Sequence, residues 1–122
     1  MMVYYQSWNK YKAVKQTYNG YSYDSKFEAS FAQDLDLRKK AKDITDWERQ
    51  FKISLDVNGY HLCNYFCDFR IHHNDGSFEL VETKGIETEV YRLKRKLLEA
   101  LWLPENLDHT YTVIKQKDYR RR

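Results

Sequence analysis

Glu82 and Lys84, in the stretch "FELVETKG" at residues 78–85, are of types that do chemistry together. The Phe, Leu and Val around them read as a strand. Side chains two apart on a strand point to the same face, so acid and lysine stand side by side, as a surface ion pair or as part of a site. The turn signal "NDG" at 74–76 separates this strand from the one before it. If that signal is a three-residue hairpin loop with Gly76 left-handed, His73 pairs with Ser77, and counting back sets Asp68 opposite Glu82. Opposed residues share a face, with Cβ atoms ~5 Å apart.

Two acids facing each other repel, and stability alone seldom selects such a pair. A divalent cation resolves the conflict: Mg²⁺ takes a few carboxylate oxygens and fills its octahedron with water and substrate phosphate. A neighbouring lysine then orients or helps deprotonate the attacking water and stabilises charge developing on phosphorus. The competing reading has Lys84 neutralise both acids as a surface triad, which contributes little to stability.

These residues carry a resemblance. "CDF" at 67–69 followed by "VETKG" at 81–85 resembles the metal-binding signature of the PD-(D/E)xK nuclease superfamily, an acid ending one strand and an acid-x-lysine on the next. Within it the chain looks most like a largely uncharacterised group of small phage-encoded proteins with a "DSKFE"-like start, a "Q…DF" middle and an "E-x-K-G" end. The resemblance spans about residues 24–116 and implies an α/β fold with a restriction-endonuclease-like core, a mixed central β-sheet flanked by helices in the order α-β-β-β-α-β. It implies that Asp68 and Glu82 bind Mg²⁺, with Mn²⁺ able to substitute, that the carbonyl of Thr83 adds a ligand, and that Lys84 is the catalytic lysine. Glu28 takes the place of the family's helix acid, orienting water or holding a second ion. The family's proline before the first acid is replaced by Cys67, at little cost because the proline is not a ligand. The activity implied is a metal-dependent DNA endonuclease, acting on branched or replicating DNA in the manner of a Holliday-junction resolvase, often as a dimer. Its partners would be DNA and phage or host replication and recombination proteins.

The elements that must position these residues are legible in outline. "SKFEASFAQDLDLRKKAK", Ser25 to Lys42, spaces Phe27, Phe31 and Leu35 four apart with acids early and bases late, which predicts a first helix. Ser25-x-x-Glu28 is also a capping box, so Glu28 has a structural role available beside its role in a site. Residues 47–73 alternate around Asn58-Gly59 and predict a hairpin, with Gln50 on its first strand either facing the site or an ordinary edge residue. "IETEVYRLKRKLLEALW" predicts a second helix with Val90, Leu93, Leu97 and Leu101 as its apolar stripe and Pro104 beyond its end. Lys94 falls inside that stripe, either snorkelling over the core or reaching a phosphate or the active site. "TYTVIKQ" at 110–116 predicts a closing strand.

With 122 residues, 42% hydrophobic and 32% charged, the chain is long enough for one packed domain, with residues 1–20 an aromatic, basic arm or short hairpin and 117–122 a basic tail. Basic side chains suited to phosphate gather at Arg38, Lys39 and Lys40, at Arg92 and Arg95, and at Lys117, Arg120, Arg121 and Arg122. No stretch approaches the ~20 apolar residues of a membrane span and the N-terminus lacks an apolar signal core, so a cytoplasmic protein is expected. Cys63 and Cys67 with the nearby histidines raise a zinc site, but on one strand the sulfurs lie about 13 Å apart, so reduced structural thiols are expected. His72 shares the Asp68 face but lies toward the hairpin tip, as a solvated turn residue. Two rivals remain: a nuclease-fold module that binds DNA or protein without catalysis, and an inhibitory or structural protein that binds a host enzyme through the 11 tyrosines.

Overall fold

In a computed structural model that describes residues 16–23 and 25–119, the chain divides into two compact units, Met1–Leu37 and Arg38–Arg122. In the first unit, Asn19 and Gly20 both have positive φ, 54° and 85°, as a two-residue hairpin turn of the primed type requires. They join β1 (Gln16–Tyr18) to β2 (Tyr21–Tyr23). The rest of the expected arm, residues 1–15, lies outside the described residues. Helix α1 (Lys26–Lys40) opens where Ser25 Oγ accepts the Glu28 N–H at 3.1 Å, and its predicted stripe of Phe27, Phe31 and Leu35 is buried. Tyr18 donates from its hydroxyl to Asp36, tying hairpin to helix.

The second unit begins with the last turn of α1, closed by Lys42 in the left-handed conformation (φ 65°). Its core is a four-stranded sheet in the order β3-β4-β5-β6. Strands β3 (Asp46–Val57), β4 (Tyr60–His72) and β5 (Phe78–Lys84) run antiparallel, and β6 (His109–Lys115) lies parallel to β5, as a helical crossover requires. Asn58 and Gly59, both at positive φ, close the β3–β4 hairpin at the predicted turn. The class is therefore mixed α/β, with two short strands ahead of the predicted order and a short helix α3 (Gln116–Tyr119) after it. Residues 120–122 of the basic tail lie outside the described residues.

The second predicted helix is where structure and expectation part. Helix α2 (Glu89–Leu97) starts at Thr88, whose side chain accepts the Tyr91 N–H, and passes into a π-helical turn, Leu98–Trp102, and a 3₁₀ turn, Leu103–Glu105. Val90 and Leu93 are 63% and 58% exposed, whereas Tyr91 and Leu98 are buried. The packed face is thus one residue round from the predicted stripe. Tyr91 and Leu98 join Ile53, Leu55, Tyr65, Cys67 and Leu80, with Trp102 packed against them. The wider π turn brings Trp102 onto this face beyond Leu98, a shift that a uniform 3.6-residue reading does not contain.

A second irregularity lies within the sheet. Gln50 adopts φ 51° in the middle of β3, and the pairing of β3 with β4 skips it, running Arg49 to Phe69 and then Phe51 to Cys67. Simple alternation puts Phe51 and Arg70 on opposite faces, yet the Arg70 guanidinium lies 4.3 Å from the Phe51 ring. Phe51, Ile53 and Leu55 nonetheless share a core with Leu80, and the register itself shifts only further along, between Leu55 and Asp56.

Candidate metal centre

The loop at 74–76 has the predicted form. Gly76 has φ 91°, its N–H donates to His73 O, and His73 N–H donates to Ser77 O at 2.9 Å. The ladder then runs from His72–Phe78 to Phe69–Val81, and one step further the register sets Asp68 against Glu82. At that step side chains replace the backbone ladder. Asp68 Oδ2 accepts from both Thr83 N–H (2.9 Å) and Thr83 Oγ1–H (2.8 Å), and Asp68 N–H points to Glu82 Oε1 at 3.4 Å. In an extended strand a residue's N–H and C=O address the same neighbour, so the Thr83 carbonyl is directed to the Asp68 side.

Glu82 is 4% exposed, rare for a carboxylate. Its Oε1 accepts the Tyr65 hydroxyl at 2.8 Å, while Oε2 lies 3.4 Å from Lys84 Nζ. Burial, and then the negative charge of Asp68, push its pKa up from the ordinary 4.5 to about 7, against the opposing pull of Lys84 and Tyr65. Lys84 also rests over the Tyr91 ring, Nζ 4.2 Å from its centre. The strand end therefore brings two acids and one lysine together. Neighbouring carboxylate oxygens are the kind of donor a divalent cation takes. Among the described residues no group of three or more His, Cys, Asp and Glu is placed to hold a metal ion; two carboxylates and a carbonyl would leave the rest of an Mg²⁺ shell to water.

Other expected residues fall in several places. Gln50 occupies the register position opposite Asp68, at the interruption of β3. Glu28 is buried on α1 in the first unit, next to its own cap. Lys94 is half-buried, and its Nζ donates to Asn64 O on β4 at 3.1 Å. Cys63 and Cys67 are free thiols on one strand. The buried Cys67 thiol leans on Val81 O, and burial followed by the charges of Glu82 and Asp68 pushes its pKa up, as suits an inert structural cysteine. His72 is not a solvated turn residue: it bonds Glu48 and packs edge-on against Phe78, because Glu48 on β3 lies beside it.

The expected basic residues are spread over the surface. Lys39 pairs with Asp46 at 3.0 Å, and Arg38 and Lys40 share the same last turn of α1. Arg92 and Arg95 each reach Glu87 at 3.9 Å. Lys117 lines a cleft of about 420 Å³ with Gly85, Lys115 and Gln116, immediately past Lys84 at the parallel ends of β5 and β6. Neither Lys115 nor Lys117 has an ion-pair partner among the described residues.

Sequence reasoning missed Tyr65, Tyr91 and Tyr111. Their hydroxyls form a row, Tyr91 to Tyr111 at 2.7 Å and Tyr111 to Tyr65 at 2.8 Å, that ends on Glu82. The abundance of tyrosine was the only signal, and it carries no position.

The chain belongs to the family described as Protein of unknown function (DUF1064), which matches residues 8–120. No curated protein and no solved structure matches it. Among the described residues, no helix is long and apolar enough to cross a membrane.

Proposed function

We propose that this chain is a metal-dependent endodeoxyribonuclease with a restriction-endonuclease-like core, hydrolysing phosphodiester bonds in the cytoplasm. The observation that supports this most is the meeting of Asp68, Glu82 and Lys84 at one strand end, with Glu82 buried. Asp68, Glu82 and the Thr83 carbonyl would hold Mg²⁺ or Mn²⁺. When bound, such an ion polarises a phosphate oxygen and lowers the pKa of a bound water.

The chain's own residues do the rest. Lys84, 3.4 Å from Glu82 Oε2, orients the attacking water and offsets charge on the pentacovalent phosphorus. Thr83 pins Asp68 through two donated hydrogen bonds, which fixes one carboxylate relative to the other. The cleft beyond Lys84, with Lys115 and Lys117, offers a path for the sugar-phosphate backbone. One such site makes one cut per encounter, so paired cuts in branched or replicating DNA call for a dimer.

The test is cleavage of supercoiled plasmid and of a synthetic four-way junction in Mg²⁺ or Mn²⁺, with EDTA and Lys84→Ala as controls. Metal-dependent cutting that the mutant loses supports the reading. Failure of the wild type to cut either substrate, with no metal affinity, rejects it in favour of a catalytically inactive module that binds DNA or protein. The observation favouring that second reading is the ion pair Lys84 already makes with Glu82.

A further inference from the structure

Three tyrosines from three separate elements converge on the acid and the lysine. Tyr65 stands on β4, Tyr111 on β6 and Tyr91 on α2, while Glu82 and Lys84 stand together on β5. Resting on the nuclease reading above, we propose that Tyr65, Tyr111 and Tyr91 are positioning residues of the site: a one-way chain of hydroxyls fixes the Glu82 carboxylate, and the Tyr91 ring seats the Lys84 ammonium.

With Glu82 ionised, the direction of the chain follows from proton counting. A phenol has one proton to donate, and a carboxylate only accepts. Tyr65 spends its proton on Glu82 Oε1 at 2.8 Å. Toward Tyr111 it must therefore accept, so Tyr111 donates to Tyr65, and by the same step Tyr91 donates to Tyr111. Each donated bond makes the next hydroxyl a better donor, and the chain delivers its effect at one oxygen of one acid. With Oε1 held, Oε2 is left on the side of Lys84.

The same Tyr91 acts a second time through its ring. Lys84 Nζ lies 4.2 Å from the ring centre, within range of a cation–π contact. A flexible four-carbon stem is thereby held close to the acid it serves. Buried tyrosines need hydrogen-bond partners in any fold, and a shared row of hydroxyls would meet that need anywhere in the core. This row instead terminates on the acid at one end and beneath the lysine at the other.

The test separates geometry from turnover. In metal-free, DNA-free protein, the Lys84 side-chain methylene protons and the Glu82 carboxyl carbon are followed by NMR in wild type, Tyr65→Phe, Tyr111→Phe, Tyr91→Phe and Tyr91→Leu. Expected is a ring-current shift of Lys84 that survives in Tyr91→Phe and vanishes in Tyr91→Leu, with the Glu82 carboxyl resonance displaced in Tyr65→Phe and, less, in Tyr111→Phe. In the cleavage assay Tyr65→Phe lowers kcat about tenfold with KM for DNA unchanged, the signature of a misplaced group and not of lost substrate binding. Melting temperatures identify any variant that fails to fold, and Tyr111→Phe, one bond removed from Glu82, then stands in for Tyr65→Phe. Unmoved Glu82 and Lys84 resonances across the folded variants would overturn the proposal. Moved resonances in a protein whose wild type cuts no DNA would support the positioning role while rejecting the nuclease.

Discussion

Strands β4 and β5 carry charge at both ends of their shared ladder, and the two ends treat it in opposite ways. At the hairpin end acids meet an arginine and three histidines. Glu48 binds Arg70 and His72, Glu79 binds His73, and Asp108 binds His109. Arg70 is further gripped between the Phe51 and Phe78 rings at 4.3 and 4.0 Å, and its Nε donates to His109 Nε2. At the other end Lys84 pairs with Glu82, Thr83 holds Asp68, and Glu82 is buried with its pKa pushed up to about 7. The hairpin end ties its polar side chains to one another, whereas the other end keeps a carboxylate where burial makes its ionisation costly, a pattern that marks candidate functional sites.

The comparison is broken most severely by removing the site. Lys84→Ala and Asp68→Asn are each expected to reduce cleavage by about a thousandfold or more in protein that still melts cooperatively. Plasmid nicking beside a thermal melt checks both halves of that statement. A mutant that keeps its activity would return the triad to the status of a surface ion pair.

Arg70→Ala tests the opposite end. It leaves Glu48 with His72 alone and empties the space between two rings, so a loss of roughly 2–4 kcal/mol is expected, with metal affinity unaltered. Urea unfolding with a parallel metal titration reads both.

Glu82→Gln sharpens the contrast through pH. Because the folded protein holds a proton on Glu82 up to about pH 7, against an ordinary 4.5, the unfolded chain ionises first. The contribution of Glu82 to stability therefore falls as pH rises from about 4.5 to about 7 and stays low above. The amide should stabilise the metal-free protein at pH 8 by roughly 1–3 kcal/mol and make little difference at pH 4. A mutation that strengthens the fold while abolishing metal binding is the mark of a site residue. Denaturation at the two pH values checks it, and a Glu82→Gln variant less stable than wild type at pH 8 would count against the frustrated pair.

The smallest effect is expected from Lys115→Ala with Lys117→Ala. Removing two phosphate contacts should lower the slope of log affinity for DNA against log salt by about 2, with a modest loss of affinity at low salt and kcat within a few-fold of wild type. Fluorescence anisotropy across a salt series measures the slope.

How much of this was written in the sequence varies from residue to residue. The loop at 74–76 was legible because its glycine and its length permit one hairpin geometry, and that geometry alone set Asp68 against Glu82. Asn19-Gly20 and Asn58-Gly59 announced their turns for the same reason. The reach of Tyr65 to Glu82 was not legible. Gln50 was no more so, because nothing in a glutamine signals a left-handed φ inside a strand. Nor was the packed face of α2, because apolar spacing favoured Val90 and Leu93 while the large ring of Tyr91 and the π turn at Leu98 took the core. The last two failures concern backbone irregularities, and both lie beside the candidate site.

The most direct measurement is a calorimetric titration of Mn²⁺ into wild-type protein, Asp68→Asn, Glu82→Gln and Arg70→Ala at neutral pH. One saturable site in the wild type, retained in Arg70→Ala and lost in the two carboxylate variants, is the predicted result. No saturable binding, or binding indifferent to Asp68 and Glu82, would contradict a metal centre at the strand end.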